Sequence, residues 1–75
     1  MNFNAKGLPT GTIVANDRQA WIKMEMDLGL GNNWRCTNRA EYSDYEITEY
    51  VAEQMFADLD GPIRVVRVGT EPLIF

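Results

Sequence analysis

A single α+β domain in the order β-β-β-α-β, with one amphipathic helix packed on a mainly antiparallel four-stranded sheet, is predicted by three features of the 75-residue sequence. Short β-branched or alternating runs, separated by turn residues, fill the first half of the chain. One segment then shows helical periodicity with a marked start and stop, and a Val-rich run follows it after Gly61-Pro62. A small half-closed β-barrel carrying a helix is the alternative topology.

The first strand follows the turn signal of "GLPTGTIVAND", where Pro9-Thr10-Gly11 feeds the β-branched run Thr12-Ile13-Val14 and Asn16-Asp17 ends it. In "ANDRQAWIKMEM" the alternation sets Ala20, Ile22, Met24 and Met26 on one face and Trp21, Lys23 and Glu25 on the other, a half-buried strand hairpinned to the first. "DLGLGNN" reads as a loop, and "WRCT" as a third strand with Trp34 and Cys36 opposite Arg35 and Thr37.

Ser43-Asp44-Tyr45-Glu46 has the S-x-x-E form of a capping box, which starts a helix at about Asp44. Steps of 100° gather Ile47, Val51, Met55, Leu59, Ala52, Tyr45 and Phe56 on one half of it, and Glu46, Glu49 and Glu53 on the other. Gly61 and Pro62 stop it near Leu59 or Asp60. In "PIRVVRVG" apolar residues occupy both faces, as in a central strand or one with a bulge, and the tail "TEPLIF" ends in Leu73-Ile74-Phe75, which must dock, pair or meet another subunit.

Composition bounds the chemistry. With 45% hydrophobic and 24% charged residues the chain is an ordinary globular domain. No apolar run approaches a membrane span and the N-terminus lacks a hydrophobic signal core, so a cytoplasmic protein is expected. The single Cys36 forms no internal disulfide and reads as a buried thiol. There is no histidine, which excludes Ser-His-Asp and Cys-His nucleophile pairs and an intrachain structural zinc site. "GLGNN" carries a Gly-x-Gly but opens no helix and is no phosphate loop. A two-carboxylate glycosidase cleft needs more room than so small a domain offers. The expectation is a protein that is not an enzyme and uses no cofactor or metal.

Charge is the feature that points to a function. The net charge is −4, yet residues 41–60 hold seven acidic residues and no basic one, so the other 55 carry +3. Glu46, Glu49 and Glu53 repel one another at i, i+3 and i+4 spacing by a few tenths of a kcal/mol per pair. Two readings compete: a solvated face that serves solubility, and a docking surface for a basic patch on another protein, with Tyr50, Tyr42 and Tyr45 nearby. A reading of another class is a small nucleic-acid-binding domain that stacks bases on Trp21 and Trp34 beside Arg35, Arg64 and Arg67. The global negative charge disfavours it, and burial is the commoner fate of Trp in small domains. A third is a homo-oligomer joined through Leu73, Ile74 and Phe75.

"GTIVANDRQAWIK", "NNWRC" and "GPIRVVRVG" together resemble small uncharacterised proteins of actinobacteriophages and actinobacteria. The resemblance is carried by Gly11, Thr12, Val14, Asp17, Trp21, Trp34, Gly61, Pro62 and Val65 across most of the chain. The resemblance implies a phage accessory protein expressed in the host cytoplasm, whose partner would be a host or phage protein, and transfers no catalytic residues. The helix before Gly61-Pro62 is longer and more acidic here than in that pattern.

Overall fold

The computed structural model describes residues 4–25, 31–57 and 62–69, and of 54–57 the backbone alone. Among the described residues one α-helix packs on an open, wholly antiparallel sheet of five strands: β1 (Ile13–Ala15), β2 (Ala20–Lys23), β3 (Trp34–Cys36), β4 (Glu41–Tyr42) and β5 (Arg64–Arg67). The strand order is β4-β3-β2-β1-β5, and the helix, α1, spans Asp44–Ala57. The α+β class is as predicted, and the sheet does not close. The predicted helix end near Leu59 or Asp60, Met26 and the tail Leu73-Ile74-Phe75 lie outside the described residues.

Three elements depart from the sequence reading. The first is β4, which pairs Tyr42 with Trp34 and Glu41 with Arg35 and adds a fifth strand. Its hairpin turns at Arg39, a non-glycine residue at φ 70, while Asn38 Oδ1 accepts the Ala40 amide at 2.9 Å. Asn38 supplies the local bond that a tight turn favours, but no glycine marks the left-handed position.

The second is the sidedness of β2. Register places Trp21 between Val14 and Cys36 on the covered face, and Ile22 between Ile13 and Arg35 on the open face. Trp21 is 1% exposed and Ile22 38%. A one-residue shift of phase exchanges the faces of a strand, and here the large indole takes the core. Lys23 follows it inward, with its ammonium 5.8 Å from the centre of the Trp34 ring and donating to the Ala5 carbonyl oxygen.

The third is β5, which among the described residues pairs only with β1 and stands at the edge of the sheet rather than at its centre. Arg67 pairs with Ile13 but Val65 with Val14, so Val66 is an extra residue in a β-bulge. The bulge, which the sequence reading held as its alternative, explains why both faces of this strand read as apolar. Beyond it, Gly69 donates to Thr12 Oγ1 at 2.9 Å. A Cβ there would lie 2.6 Å from the Thr12 nitrogen and closer still to the Thr10 carbonyl oxygen, so this crossing accepts only glycine.

The core joins Val14, Trp21, Trp34, Cys36, Ile47, Ile63 and Ala5, all buried. Polar ties organise it. Trp34 Nε1 donates to Asp44 Oδ1 at 2.7 Å, and Lys23 Nζ stands 3.4 Å from the same oxygen and 2.9 Å from the Ala5 carbonyl oxygen. At the β1–β2 turn the buried Asn16 accepts the amides of Arg18 and Gln19 with Oδ1, and donates through Nδ2 to the Tyr50 hydroxyl at 3.0 Å. That hydroxyl donates to Gln19 Oε1 at 3.3 Å.

Burial pushes the Asp44 carboxyl up, but the bonds from Trp34 and Asn33 and the Lys23 ammonium outweigh it and hold the group below its ordinary value of 3.8. A depressed carboxylate adds stability that is complete above that ordinary value and is lost as pH falls through the lower folded one. Asp44→Asn is expected to cost about 1–3 kcal/mol at neutral pH, because the Lys23 ammonium loses its counter-charge. Urea titrations should show the gap between native and variant narrowing on acidification below that value; a gap independent of pH would count against the assignment.

The two tryptophans should respond differently to the same truncation. Trp34 carries the bond to Asp44, whereas Trp21 Nε1 is buried with no acceptor among the described residues. Trp34→Phe is expected to cost about 1–2 kcal/mol more than Trp21→Phe, which removes an unsatisfied donor along with the lost ring volume. Thermal unfolding of the two variants checks it, and equal losses would contradict it.

Candidate interaction surface

The outer face of α1 is set by what its first turn must bury. Ser43 Oγ accepts the Glu46 amide at 3.2 Å and Glu46 Oε2 accepts the Ser43 amide at 2.6 Å, the reciprocal capping box that the sequence predicts. Asp44, one residue on, turns inward to Trp34 and Lys23, and Ile47, fully buried, continues that side. Tyr45 lies about 200° from Ile47 around the helix axis, so fixing Asp44 and Ile47 inward sends Tyr45 out. It is 71% exposed, although the sequence reading set it on the apolar half; Ala52, from that same half, is also exposed.

Tyr45 therefore joins the carboxylates. Tyr42, Tyr45, Glu46, Glu49, Tyr50 and Glu53 line a shallow depression of about 220 Å³. The four residues singled out for partner binding, Glu46, Glu49, Glu53 and Tyr50, thus meet at one place. Their situations differ. Glu49 and Glu53 are exposed, and among the described residues they make no ion pair. Glu46 is exposed but engaged in the capping box. Tyr50 is half-buried against Trp21, with ring centroids 5.0 Å apart, and its hydroxyl is spent on the β1–β2 turn, so it forms the floor. Lys6 shares an adjoining depression with Tyr45, Thr48 and Glu49 at one edge.

The residues of the nucleic-acid reading divide. Trp21 and Trp34 are 1% and 0% exposed, so neither ring offers a face to a base; this corrects the idea of a tryptophan platform. Arg35, Arg64 and Arg67 are exposed and register on the uncovered side of the sheet, opposite the helix. Arg64 stands 3.4 Å from Asp17 with both side chains largely exposed, a contact of little energetic weight. Cys36 is a free, buried thiol. No helix among the described residues is long and apolar enough to cross a membrane. Among them, no three His, Cys, Asp or Glu side chains gather as metal ligands.

Comparison with known protein families, curated proteins and solved structures gives no significant match. The sequence places Tyr45 near the acidic face yet counts it in the apolar half of the helix; its exposure at the centre of the patch follows from Asp44, whose inward anchoring fixes the helix rotation.

The double role of Glu46 generates a prediction. Glu46→Gln retains an acceptor for the Ser43 amide and should leave stability within a few tenths of a kcal/mol, while Glu46→Ala removes it and should cost about 0.5–1.5 kcal/mol. Chemical denaturation of both separates capping from surface charge. Equal stability in the two variants would show the bond to be idle.

Proposed function

We propose that this chain is a non-enzymatic accessory protein, of the phage type its sequence resembles, that acts in the host cytoplasm by binding a protein partner through the outer face of α1. The partner presents a basic patch with room for one aromatic ring. The observation that carries this reading is Tyr45, 71% exposed among Glu46, Glu49 and Glu53 beside a tyrosine-lined depression. A helix face kept wet only for solubility has no need of an exposed ring at its centre. Tyrosine is enriched where interfaces concentrate their binding energy, since its ring brings contact area at small entropic cost. The carboxylates around it supply long-range attraction that speeds encounter and weakens with salt.

The test is affinity capture from actinobacterial lysate with the native protein and with a Tyr45→Ala, Glu49→Gln, Glu53→Gln variant, leaving Glu46 in place to keep the helix cap. A partner held by the native protein at low salt, released at high salt and lost by the folded variant is the expected result. Identical capture by both proteins would return the face to a solvated role.

A further inference from the structure

The side of the sheet away from α1, uncovered among the described residues, has the opposite character. Across its strands the register runs Arg67, Ile13, Ile22, Arg35, Glu41. A second row runs Arg64, Ala15, Ala20. Ile13, Ala20, Ile22, Arg35 and Thr37 help line a shallow groove of about 370 Å³ there. Arg64 and Arg67 are three residues apart and would fall on opposite faces of a regular strand. The bulge at Val66 brings both into register with open-face residues, Ala15 and Ile13. An apolar strip is thus bordered by three arginines. Asp17 beside Arg64 and Glu41 beside Arg35 only partly offset them.

We propose that this face docks the acidic helix face of a second copy of the chain, so that copies associate head to tail. The proposal rests on reading the helix face as a binding surface and names a partner for it. Charge and shape both match. Glu46 to Glu53 spans about 10 Å along a helix, and Arg64 to Arg67 spans about 10 Å along a strand. Tyr45 enters the groove between the isoleucines, where Arg35 is placed to cover its ring. The two faces lie on opposite sides of the sheet-helix sandwich, so one molecule cannot join them itself. The contact is therefore heterologous, and repetition yields rings or chains rather than a closed dimer.

Sedimentation velocity from micromolar to millimolar protein tests this with two variants, Arg35→Gln with Arg67→Gln and Glu49→Gln with Glu53→Gln, each checked for folding by circular dichroism. The native protein is expected to grow in mass with concentration and to revert in high salt. Each variant alone should self-associate about tenfold more weakly. Their mixture, which retains one native pair of faces, should form a one-to-one dimer and stop there. A native protein that stays monomeric throughout overturns the proposal, as does association strengthened by removing the arginines. If that monomer still captures a basic partner through Tyr45, Glu49 and Glu53, only the self-association fails. If the chain assembles as described but captures nothing else, the proposal stands and the separate partner falls.

Discussion

Asp44 Oδ1 is the point on which the rest of the domain depends. It receives Trp34 Nε1 from β3 and faces Lys23 Nζ from β2, and that ammonium also reaches the backbone of the 3-10 turn Ala5–Gly7 through the Ala5 and Lys6 carbonyl oxygens. Four segments far apart in sequence are joined through two side-chain charges. A largely buried ion pair contributes little net stability once the desolvation of both groups is counted. What this one contributes is selection. If β2 were turned over, the Lys23 ammonium would leave its acceptors; if α1 were rotated, Asp44 would leave Trp34. Each alternative strands a desolvated polar group, at a cost comparable with a sizeable fraction of the stability of so small a domain.

A second tie works at the other end of the described helix face. Asn16 closes the β1–β2 turn with its side-chain oxygen and reaches α1 with its nitrogen, through the Tyr50 hydroxyl. Residues 44 and 50 are thus both held to the sheet, about 9 Å apart along the helix axis. Two anchors fix the rotation as well as the position of a rod. With Asp44, Ile47 and Tyr50 committed to the inside, Tyr45, Glu49 and Glu53 have only the outside left. The acidic outer surface of α1 is a consequence of the polar bonds beneath it.

These relations determine what could be read from the sequence. The helix start was legible because a capping box is local: Ser43 and Glu46 satisfy each other within one turn, whatever lies around them. The strands at Ile13, Trp34 and Arg64 were legible for a similar reason, as β-branched and alternating runs bounded by turn residues. Side and rotation were not, since they depend on contacts between distant segments. In β2 the apolar phase of Ala20, Ile22 and Met24 competed with that of Trp21, and only the presence of Asp44 across the core makes Lys23 an inward residue. In α1 the same Asp44 is a carboxylate in the first turn, where the helix dipole favours it whether it faces out or in. Arg39 hid the turn into β4 because a left-handed residue other than glycine leaves no compositional mark. The Glu46, Glu49 and Glu53 cluster was legible from spacing alone, but its aromatic centre followed from the rotation.

The charge asymmetry seen along the chain becomes an asymmetry across it. Acidic residues follow one another on α1, and the arginines of the opposite face sit on two other segments, Arg35 on β3 and Arg64 and Arg67 on β5, so no pairing within one strand or helix joins the two sets. The sandwich keeps them apart: the covered face takes Trp21, Trp34 and Ile47, the helix exterior takes the carboxylates, and the bulge at Val66 gathers Arg64 and Arg67 on the remaining side. Segregated charge of this kind forgoes intramolecular Coulomb energy that a mixed surface would collect. That loss is small in water, where exposed pairs are worth at most about 1 kcal/mol. The field it preserves reaches outward on the scale of the Debye length, about 8 Å at physiological salt, and acts on whatever approaches. The fold gives up little stability by keeping two oppositely charged faces apart, and it keeps both available for intermolecular contact.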